Sequence, residues 1–211
     1  MKVSDFKVFK NDKWWKGHAQ EILKGNTDMY LHAKKYIKKF DTAIDGGVHY
    51  GYWSMILAQD FKKVFCFEGD VKLFEIAKEN LSKLNNVILE NKAIGNKIDS
   101  VEVSNRFRRC LNSSMSRVLG PGKTPMITID SLNLSDLDFM KLDIEGYELF
   151  ALKGSEETLK KYNPVVLFEE IENHCNFHGV NLGECDDFLT SIGATHLESW
   201  DSKNHIWGWR E

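Results

Sequence analysis

Three glycines and an acid follow a short apolar run near residue 45, in the segment AIDGGVHYGYW. Gly46 and Gly47 come directly after the run, and Asp45, Gly47 and Gly51 form the pattern D-x-G-x-x-x-G. Glycine has no Cβ atom, so it allows a tight turn and lets a ligand approach the backbone. The spacing differs from the G-x-G-x-x-G of dinucleotide-binding turns. The leading acid favours a ligand with an ammonium group over a pyrophosphate.

A second acid, Glu68, ends the next apolar run, 23 residues after Asp45. An acid about 20 residues beyond a glycine turn commonly accepts hydrogen bonds from ribose hydroxyls. A ligand that combines a nucleoside with a cation and needs no phosphate is S-adenosylmethionine (SAM). Ordinary strand–helix turns also use glycine, so the prediction depends on Glu68 ending the second strand. We predict that the cofactor-binding residues of these two segments are Asp45, Gly46, Gly47, Tyr50, Gly51, Glu68 and Gly69.

A parallel sheet is needed to bring these turns together. Apolar runs alternate along the chain with amphipathic helical patterns, such as DVKLFEIAKENLSKL, for which Asp70 is a candidate N-cap. Strands that are apolar throughout and separated by helices predict a parallel sheet covered on both faces. The tail alternates at period two around the polar turn DSKN and predicts an antiparallel hairpin at the end of the sheet. We therefore expect an α/β fold with a mostly parallel, seven-stranded sheet.

Two segments fall outside this alternation. Residues 1–40 carry apolar residues at helical spacing and predict an N-terminal helical extension, with Thr27 or Asp28 as its cap. Within the main domain of residues 41–211, residues 99–130 contain two short strand patterns on either side of a basic, polar loop. The arginines of that loop suit a lid over an acidic acceptor, and a solvated mobile loop is an equal alternative.

Composition limits the classes of protein to consider. The chain has 211 residues, 42% of them hydrophobic and 28% charged, which is typical of a single globular domain. Its formal net charge of −3 argues against a general nucleic-acid binder. The four cysteines include no CxxC pair, which favours a reducing compartment. A polar start and the absence of an apolar run of about 20 residues predict a cytoplasmic protein without a membrane partner.

Roughly residues 41–172 resemble the FkbM-type SAM-dependent methyltransferases. The matching segments are AIDGGVHYGYWSMILA, VFCFEGD, NKAIGN, TIDSL and, most specifically, FMKLDIEGYELFALKGSEETL followed by PVVLFEE. The resemblance implies a Rossmann-like class I methyltransferase fold with SAM as cofactor, and often O-methylation of a sugar or natural product. The family's glycine loop is D-x-G-A-N-x-G, whereas this chain has Val48 and His49 in place of Ala and Asn. Gly69 replaces the proline that usually follows the strand-end glutamate.

The resemblance implies further cofactor contacts. It places Asn91, Lys92 and Ala93, which follow the third strand, beside the adenine. An ordinary strand exit explains each of these three residues nearly as well. Ser114, in the basic loop, is expected to approach SAM.

Four residues at or after later strand ends are candidates for catalysis: Asp143, Glu145, Glu169 and His174. Methyl transfer is an in-line displacement that needs the acceptor oxygen close to the methyl group and a base for its proton. A carboxylate could position the acceptor, act as the base, or hold a divalent metal that acidifies the hydroxyl. Asp143 is the first candidate for contact with both cofactor and acceptor, whereas Glu145 could instead cap the following helix. His174 is a candidate base, and no metal site is predicted for His174 with His178.

The sequence thus predicts a SAM-dependent methyltransferase that acts on a hydroxyl of a sugar, glycan or other small molecule. One alternative is a SAM-binding module without turnover, which Val48 and His49 motivate. A ribose 2′-O-methyltransferase of nucleic acid is a weaker alternative. The chain contains no Pro-Pro and no Pro-Cys, which adenine and cytosine methyltransferases need. The sequence does not indicate the oligomeric state.

Overall fold

The computed structural model describes residues 6–104 and 116–210. Helices and strands alternate along most of this length. The strands are β1 (Thr42–Gly46), β2 (Lys63–Phe67), β3 (Val87–Glu90), β4 (Ala93–Ile94), β5 (Asp99–Ser104), β6 (Arg117–Pro121), β7 (Thr124–Ile127), β8 (Phe139–Leu142), β9 (Val165–Glu169), β10 (Thr195–Ser199) and β11 (Asn204–Gly208). The α-helices are α1 (Lys13–Lys34), α2 (Tyr52–Leu57), α3 (Val71–Leu81), α4 (Glu148–Lys153), α5 (Glu156–Tyr162), α6 (Glu172–Phe177) and α7 (Glu184–Ser191).

A seven-stranded sheet forms the centre of the fold, with strand order β10–β11–β9–β8–β1–β2–β3. Neighbouring strands from β3 to β9 are parallel, and β11 is antiparallel to both of its neighbours. The predicted α/β architecture and C-terminal hairpin are therefore confirmed. The hairpin forms one edge of the sheet with its second strand inward: β11 pairs with β9, and β10 is the outermost strand.

Both faces of the sheet are buried. Along β1, Ala43 belongs to the core beneath α1, α2 and α3, and its neighbour Ile44 belongs to the core beneath α4, α5 and α7. Phe139 and Met140 of β8 divide in the same way. Successive side chains of a strand point to opposite faces. This arrangement explains why the central strands are apolar throughout instead of alternating.

A second, four-stranded sheet has the order β4–β7–β5–β6. The two strand patterns predicted at residues 101–104 and 126–129 correspond to β5 and β7. The second pattern is shifted by two residues from the observed strand β7. The prediction of a continuous loop between them was wrong for Arg117–Pro121, which pairs with β5 as strand β6. Gly120, with φ of +137°, lies at a register shift between β5 and β6. This irregularity interrupts the alternation of side chains by which a strand is identified in a sequence. The division into an extension and a main domain stays a prediction.

Helix α1 begins well before the predicted cap. Asp12 precedes it, and its carboxylate accepts a hydrogen bond from the backbone N–H of Trp15. Thr27 lies inside the helix, where its hydroxyl donates to the carbonyl of Leu23, so the cap prediction at Thr27 or Asp28 was wrong. The cap of α3 is confirmed, because Asp70 accepts from two backbone N–H groups of the first turn. None of the helices in the described ranges is long and apolar enough to cross a bilayer.

Candidate functional site

A cavity of about 450 Å³ opens at the carboxyl ends of the central strands. Its volume lies in the range of about 300–1,000 Å³ that is typical of small-molecule sites. The strand order reverses between β1 and β8, and ligands of open α/β sheets bind beyond such a switch point. Helix α1 forms one wall of the cavity, and the small sheet forms the opposite end through residues of β4, β5 and β6.

The glycine turn after β1 packs against the backbone that follows β8. Gly47 has φ of +82°, and a Cβ atom there would lie 1.8 Å from the carbonyl oxygen of Asp143. Any side chain at this position is therefore excluded. Gly51, with φ of +94°, begins α2 against Leu81, and Gly46 packs on Leu142. Of the three predicted glycines, Gly47 lines the cavity, whereas Gly46 and Gly51 shape the turn from behind.

His49 and Tyr50 follow Gly47 along the cavity wall. His49 has φ of +54°, a left-handed conformation in which histidine, asparagine and aspartate are enriched among non-glycine residues. The histidine therefore keeps the backbone conformation that an asparagine would adopt. Burial lowers the pKa of His49 to about 4, so its side chain is neutral at physiological pH. Tyr50 is buried, and its hydroxyl donates to the carboxylate of Asp12 at 2.8 Å.

Glu68 lies at the end of β2 with only 5% of its surface exposed, and it lines the cavity. Its two carboxylate oxygens accept from the backbone N–H groups of His49 and Asp70, each at 2.8 Å. Burial raises the pKa of Glu68 to about 7, against the opposing effect of these two hydrogen bonds. The carboxylate is therefore held in a fixed orientation at the cavity surface.

Gly69, predicted beside the ribose, and the predicted adenine contacts Asn91, Lys92 and Ala93 divide into lining and supporting residues. Gly69, Lys92 and Ala93 line the cavity, and a Cβ atom on Gly69 would lie 2.8 Å from Val103 of the small sheet. Asn91 lies outside the lining. Its side-chain amide donates to the carbonyl of Glu68 at 2.7 Å and so holds the end of β2 in place.

Asp45 is fully buried and, within the part of the chain that the structure describes, does not line the cavity. Its predicted place in the wall beside the cofactor stays a prediction, and the structure places it behind the cavity surface. One carboxylate oxygen accepts from the hydroxyl of Ser54 at 2.6 Å, and the other lies 3.2 Å from Nζ of Lys141. Asp45 lies within β1, so α2 and β8 cover its side chain through these two residues.

Lys141 is a cavity-lining residue that begins the family-specific motif KLDIEGYELFALKG, residues 141–154, and to which the sequence assigned no role. It is 3% exposed in the middle of β8, and its ammonium donates to the carbonyl of Gly47 at 2.8 Å. The available signal was a charged residue inside the otherwise apolar strand FMKL. Asp143 follows this strand, lines the cavity, and has a carboxylate oxygen 3.7 Å from Nζ of Lys141.

Glu145 and His174 form a pair on the cavity wall. Oε2 of Glu145 lies 3.0 Å from Nδ1 of His174, and burial raises the pKa of the Glu145 carboxyl. Glu145 has φ of +61° and does not cap α4. Glu148 makes the local backbone contact instead, because its Oε1 accepts from the N–H of Ile144 at 2.7 Å. His178 is outside the lining and packs edge-on against Tyr147.

Glu169, at the end of β9, lines the cavity, whereas its neighbour Glu170 accepts a hydrogen bond from the backbone of Gly183. Burial raises the pKa of Glu169 to about 9, and the negative charges of Asp143 and Glu145 act in the same direction. A carboxyl group with this pKa is protonated at neutral pH, so Glu169 can donate a hydrogen bond.

Helix α1 contributes residues that the sequence pattern predicted only as a helical extension. Trp14, Trp15, Ile22 and Asn26 line the cavity. Trp15 is 4% exposed and packs edge-on against Tyr50, whereas Trp14 is 41% exposed. A smaller lobe of about 160 Å³ continues from the cavity, lined by Asn26, Asn204, Asp143 and Glu169 among others. The adjacent tryptophans Trp14 and Trp15, in the first turn of α1, were the signal for this wall.

The proposed lid can be described only in part. Ser114 and the arginines Arg106, Arg108 and Arg109 lie outside the described residues. Arg117 lines the cavity from β6, with its guanidinium 5.0 Å from the ring centre of Phe177. Among the residues that the structure describes, no group of three or more histidine, cysteine or acidic side chains is arranged to hold a metal ion.

Residues 45–195 match the family model described as the methyltransferase FkbM domain. The chain belongs to this family. The match begins at the glycine turn and includes the carboxyl ends of β2, β3, β8 and β9, which border the cavity. A search of curated protein sequences found no significant match.

Solved structures similar to this FkbM domain support its fold. A methyltransferase FkbM from Methylobacillus flagellatus KT is 17% identical with a TM-score of 0.56, and the similarity covers 81% of this chain but 44% of that protein. A putative methyltransferase from Streptococcus mutans, solved in complex with SAH, is 12% identical with a TM-score of 0.52, covering 85% and 95%. The N-methyltransferase NodS from Bradyrhizobium japonicum WM9 is 10% identical with a TM-score of 0.54, covering 88% and 94%.

The cavity of the FkbM domain fits the cofactor that the family name implies. Glu68 offers an oriented carboxylate to vicinal hydroxyls, and bare backbone at Gly47 leaves room that any Cβ atom would fill. Ile94, Val103 and Val118 add apolar surface for a flat ring near Glu68. Asp143 faces the cavity with a carboxylate that is 41% exposed and suits a cationic group.

Proposed function

We propose that this FkbM-domain protein transfers a methyl group from SAM to a hydroxyl of a sugar, glycan or other small molecule. One observation carries the proposal. A single cavity joins a wall suited to a nucleoside and a cation, at Glu68, Gly47 and Asp143, to an acid–histidine pair, Glu145 and His174. Cofactor binding and proton removal thus share one enclosure.

The residues assigned to the cofactor divide by chemistry. Glu68 accepts from the ribose hydroxyls, and Lys92 and Ala93 border the adenine. Gly47 and Asp143 border the amino-acid end, where the carboxylate of Asp143 attracts positive charge. When bound, SAM supplies an electrophilic methyl group on a sulfonium. The remaining chemistry, which is orientation of the acceptor and removal of its proton, belongs to side chains of this chain.

His174 is the proposed general base. Oε2 of Glu145 lies 3.0 Å from Nδ1 of His174, and its negative charge favours the tautomer in which Nδ1 carries the proton. Nε2 is then the nitrogen that takes the hydroxyl proton, and Glu145 stabilises the resulting imidazolium. General-base catalysis of this kind contributes roughly 10²–10⁴-fold to a rate.

The wall beyond this pair suits a polyhydroxylated ring. Trp14 offers an exposed indole face at α1, against which the C–H face of a sugar can stack. Asn26 offers an amide donor and acceptor in the smaller lobe, Asn204 offers its amide oxygen because its amide nitrogen donates to Asp201, and protonated Glu169 offers a donor. Several hydrogen-bonding groups around an aromatic platform support a small, hydroxyl-rich acceptor over a nucleic-acid strand.

Two measurements test the proposed function. Calorimetry should detect SAM and its demethylated product, S-adenosylhomocysteine (SAH), binding to the wild-type protein. Incubation with methyl-labelled SAM and a panel of sugars, glycans, plant and microbial phenols and the matching amines should then label an oxygen, as located by mass spectrometry. Lack of SAM binding would remove the enzyme proposal, and a methyl group found on nitrogen would remove its O-specific part.

The base assignment is tested by His174→Gln, with Tyr36→Phe as a surface control away from the cavity. We expect turnover of the glutamine variant to fall by about 10²–10⁴-fold. SAM affinity should stay within about threefold, because His174 is not among the cofactor contacts. An equal loss of turnover and affinity would instead assign His174 to cofactor binding.

The alternative of a SAM-binding module without turnover was motivated by Val48 and His49. Val48 is 3% exposed in the core beneath α1, and the N–H of His49 holds Glu68. Val48 and His49 thus replace the family's Ala and Asn without loss of the glycine turn. This favours an active enzyme over a binding module without turnover. SAM binding without turnover on every member of the panel would favour the module.

A further inference from the structure

The ammonium of Lys141 has an unusual environment for a charged group in the core. Lys141 is 3% exposed and lies in the central strand β8, next to β1. Four oxygen atoms surround its Nζ. They are the carbonyl oxygen of Gly47 at 2.8 Å, Oδ1 of Asp45 at 3.2 Å, the carbonyl oxygen of Gly46 at 3.3 Å and Oδ2 of Asp143 at 3.7 Å.

Two of the ammonium donors are used by the carbonyl oxygens of Gly46 and Gly47, and Oδ1 of Asp45 is an ion-pair partner at 3.2 Å. A lysine ammonium has three donors, and the three contacts within 3.3 Å all belong to the end of β1. Asp143, at 3.7 Å, lies beyond hydrogen-bond distance and experiences only the charge of Lys141. Asp143 therefore keeps its acceptor positions for a ligand while its charge is stabilised from behind.

Asp45 completes the arrangement. It is fully buried, and its second oxygen accepts from the hydroxyl of Ser54 at 2.6 Å, so Asp45 itself does not line the cavity. Burial raises the pKa of the Asp45 carboxyl, and the adjacent ammonium opposes this effect. Asp45 and Lys141 thus form a neutral pair beneath the glycine turn, and Asp143 retains a net negative charge in front of it.

We propose that Lys141 is a positioning residue for cofactor binding, which clamps the glycine turn after β1 to the Asp143 segment after β8. Asp45 acts on the cofactor only through this clamp. The inference rests on the proposed function, because it assumes that the cavity binds SAM. In this proposal, Lys141 sets the distance between the backbone of the glycine turn, which borders the cofactor, and the carboxylate of Asp143, which faces the cation of the cofactor.

The experiment compares two variants by SAH calorimetry and thermal unfolding. Asp45→Asn keeps a side-chain oxygen for the ammonium and leaves the clamp intact. The double variant Asp45→Asn/Lys141→Met removes both members of the buried pair, so no unpaired charge remains in the core. We expect SAH affinity of the single variant to stay within about threefold of wild type, and that of the double variant to fall by at least about tenfold. The double variant should nevertheless unfold within a few degrees of wild type.

A matched control removes an exposed pair of the same type. Lys97 and Asp99 lie 2.7 Å apart at the surface, outside the cavity lining. The variant Asp99→Asn/Lys97→Met should leave both SAH affinity and thermal stability unchanged. It shows whether removal of any Lys–Asp pair lowers affinity.

Each outcome decides for or against the clamp. A double variant that is folded and binds SAH as tightly as wild type would overturn it. Should the double variant not fold, the more conservative double variant Asp45→Asn/Lys141→Gln decides: a loss of SAH affinity of at least about threefold supports the clamp, and affinity equal to wild type overturns it. Failure of the proposed function is distinguishable, because the wild-type protein would then not bind SAH at all.

Discussion

The proposed role of Glu68 as the ribose acceptor predicts that cofactor binding depends on pH. Its carboxylate is buried and oriented by the N–H groups of His49 and Asp70, and burial raises its pKa to about 7. Ribose hydroxyls donate to the ionised carboxylate. They find fewer acceptors on the protonated group. Cofactor binding should therefore favour the ionised form and release a proton when the pH is near 7.

The size of the effect follows from the pKa. If only ionised Glu68 binds, the apparent Kd is multiplied by one plus the ratio of protonated to ionised carboxyl. For a pKa of about 7 this factor is about 1.1 at pH 8 and about 11 at pH 6, a tenfold loss of affinity, or about 1.4 kcal/mol. The charged neighbours, Asp70 and Lys141, oppose each other in their effect on this pKa. His49, with a pKa of about 4, stays neutral across the range.

Calorimetric titration of SAH at half-unit steps from pH 6 to pH 8 measures this dependence. Glu68→Gln, which has no proton to exchange, should give a flat profile over the same range. Glu68→Ala should weaken binding at pH 8 by about 1–3 kcal/mol, as expected for a lost charged hydrogen bond. A flat wild-type profile would refute the assignment of Glu68 to the ribose. The same slope in Glu68→Gln would assign the titration to another group.

Three further predictions concern the glycine turn and the buried acids. Gly47→Ala should abolish SAH binding and lower the melting temperature, since its Cβ atom would lie 1.8 Å from a backbone oxygen; Gly17→Ala, in open space on α1, should instead stabilise the protein by about 0.5–1 kcal/mol. A Gly47→Ala protein that binds SAH normally would contradict the close packing of the two turns. His49→Asn should change SAH affinity by less than about threefold, because asparagine also favours the left-handed conformation; a large gain in affinity or turnover would mean that His49 impairs the site. Glu148 and Glu169 have pKa values raised to about 8 and about 9 by burial, so the folded protein holds protons that the unfolded chain releases above about pH 4.5. Its free energy of unfolding should therefore fall by about 2 kcal/mol or more between pH 6 and pH 9 in denaturant titrations, and equal stability at the two pH values would contradict these pKa values.

Much of the fold could be predicted because its signals are local. Apolar runs identify the buried central strands, and period-two alternation identifies the C-terminal hairpin. Asp70 at the start of α3 is equally readable, since capping depends on the adjacent turn. The position of β11 between β9 and β10 could not be predicted, because a hairpin pattern specifies its own two strands and not their neighbours in a sheet.

The residues of the site likewise divide into those with a local sequence signal and those whose position depends on contacts between distant elements. The sequence by itself determined that a glycine turn, strand-end acids and the Lys141–Gly154 motif belong to one methyltransferase domain, because these features are carried by residue type and spacing. Asp45 and Glu68 both end apolar strands in the sequence, yet only Glu68 faces the cavity. Tertiary structure decided this difference: Asp45 lies within β1, where Ser54 of α2 and Lys141 of β8 contact its side chain, whereas Glu68 follows the last residue of β2. It likewise decided that α1 supplies a wall and that Lys141 joins the two turns, since these contacts depend on how distant elements pack.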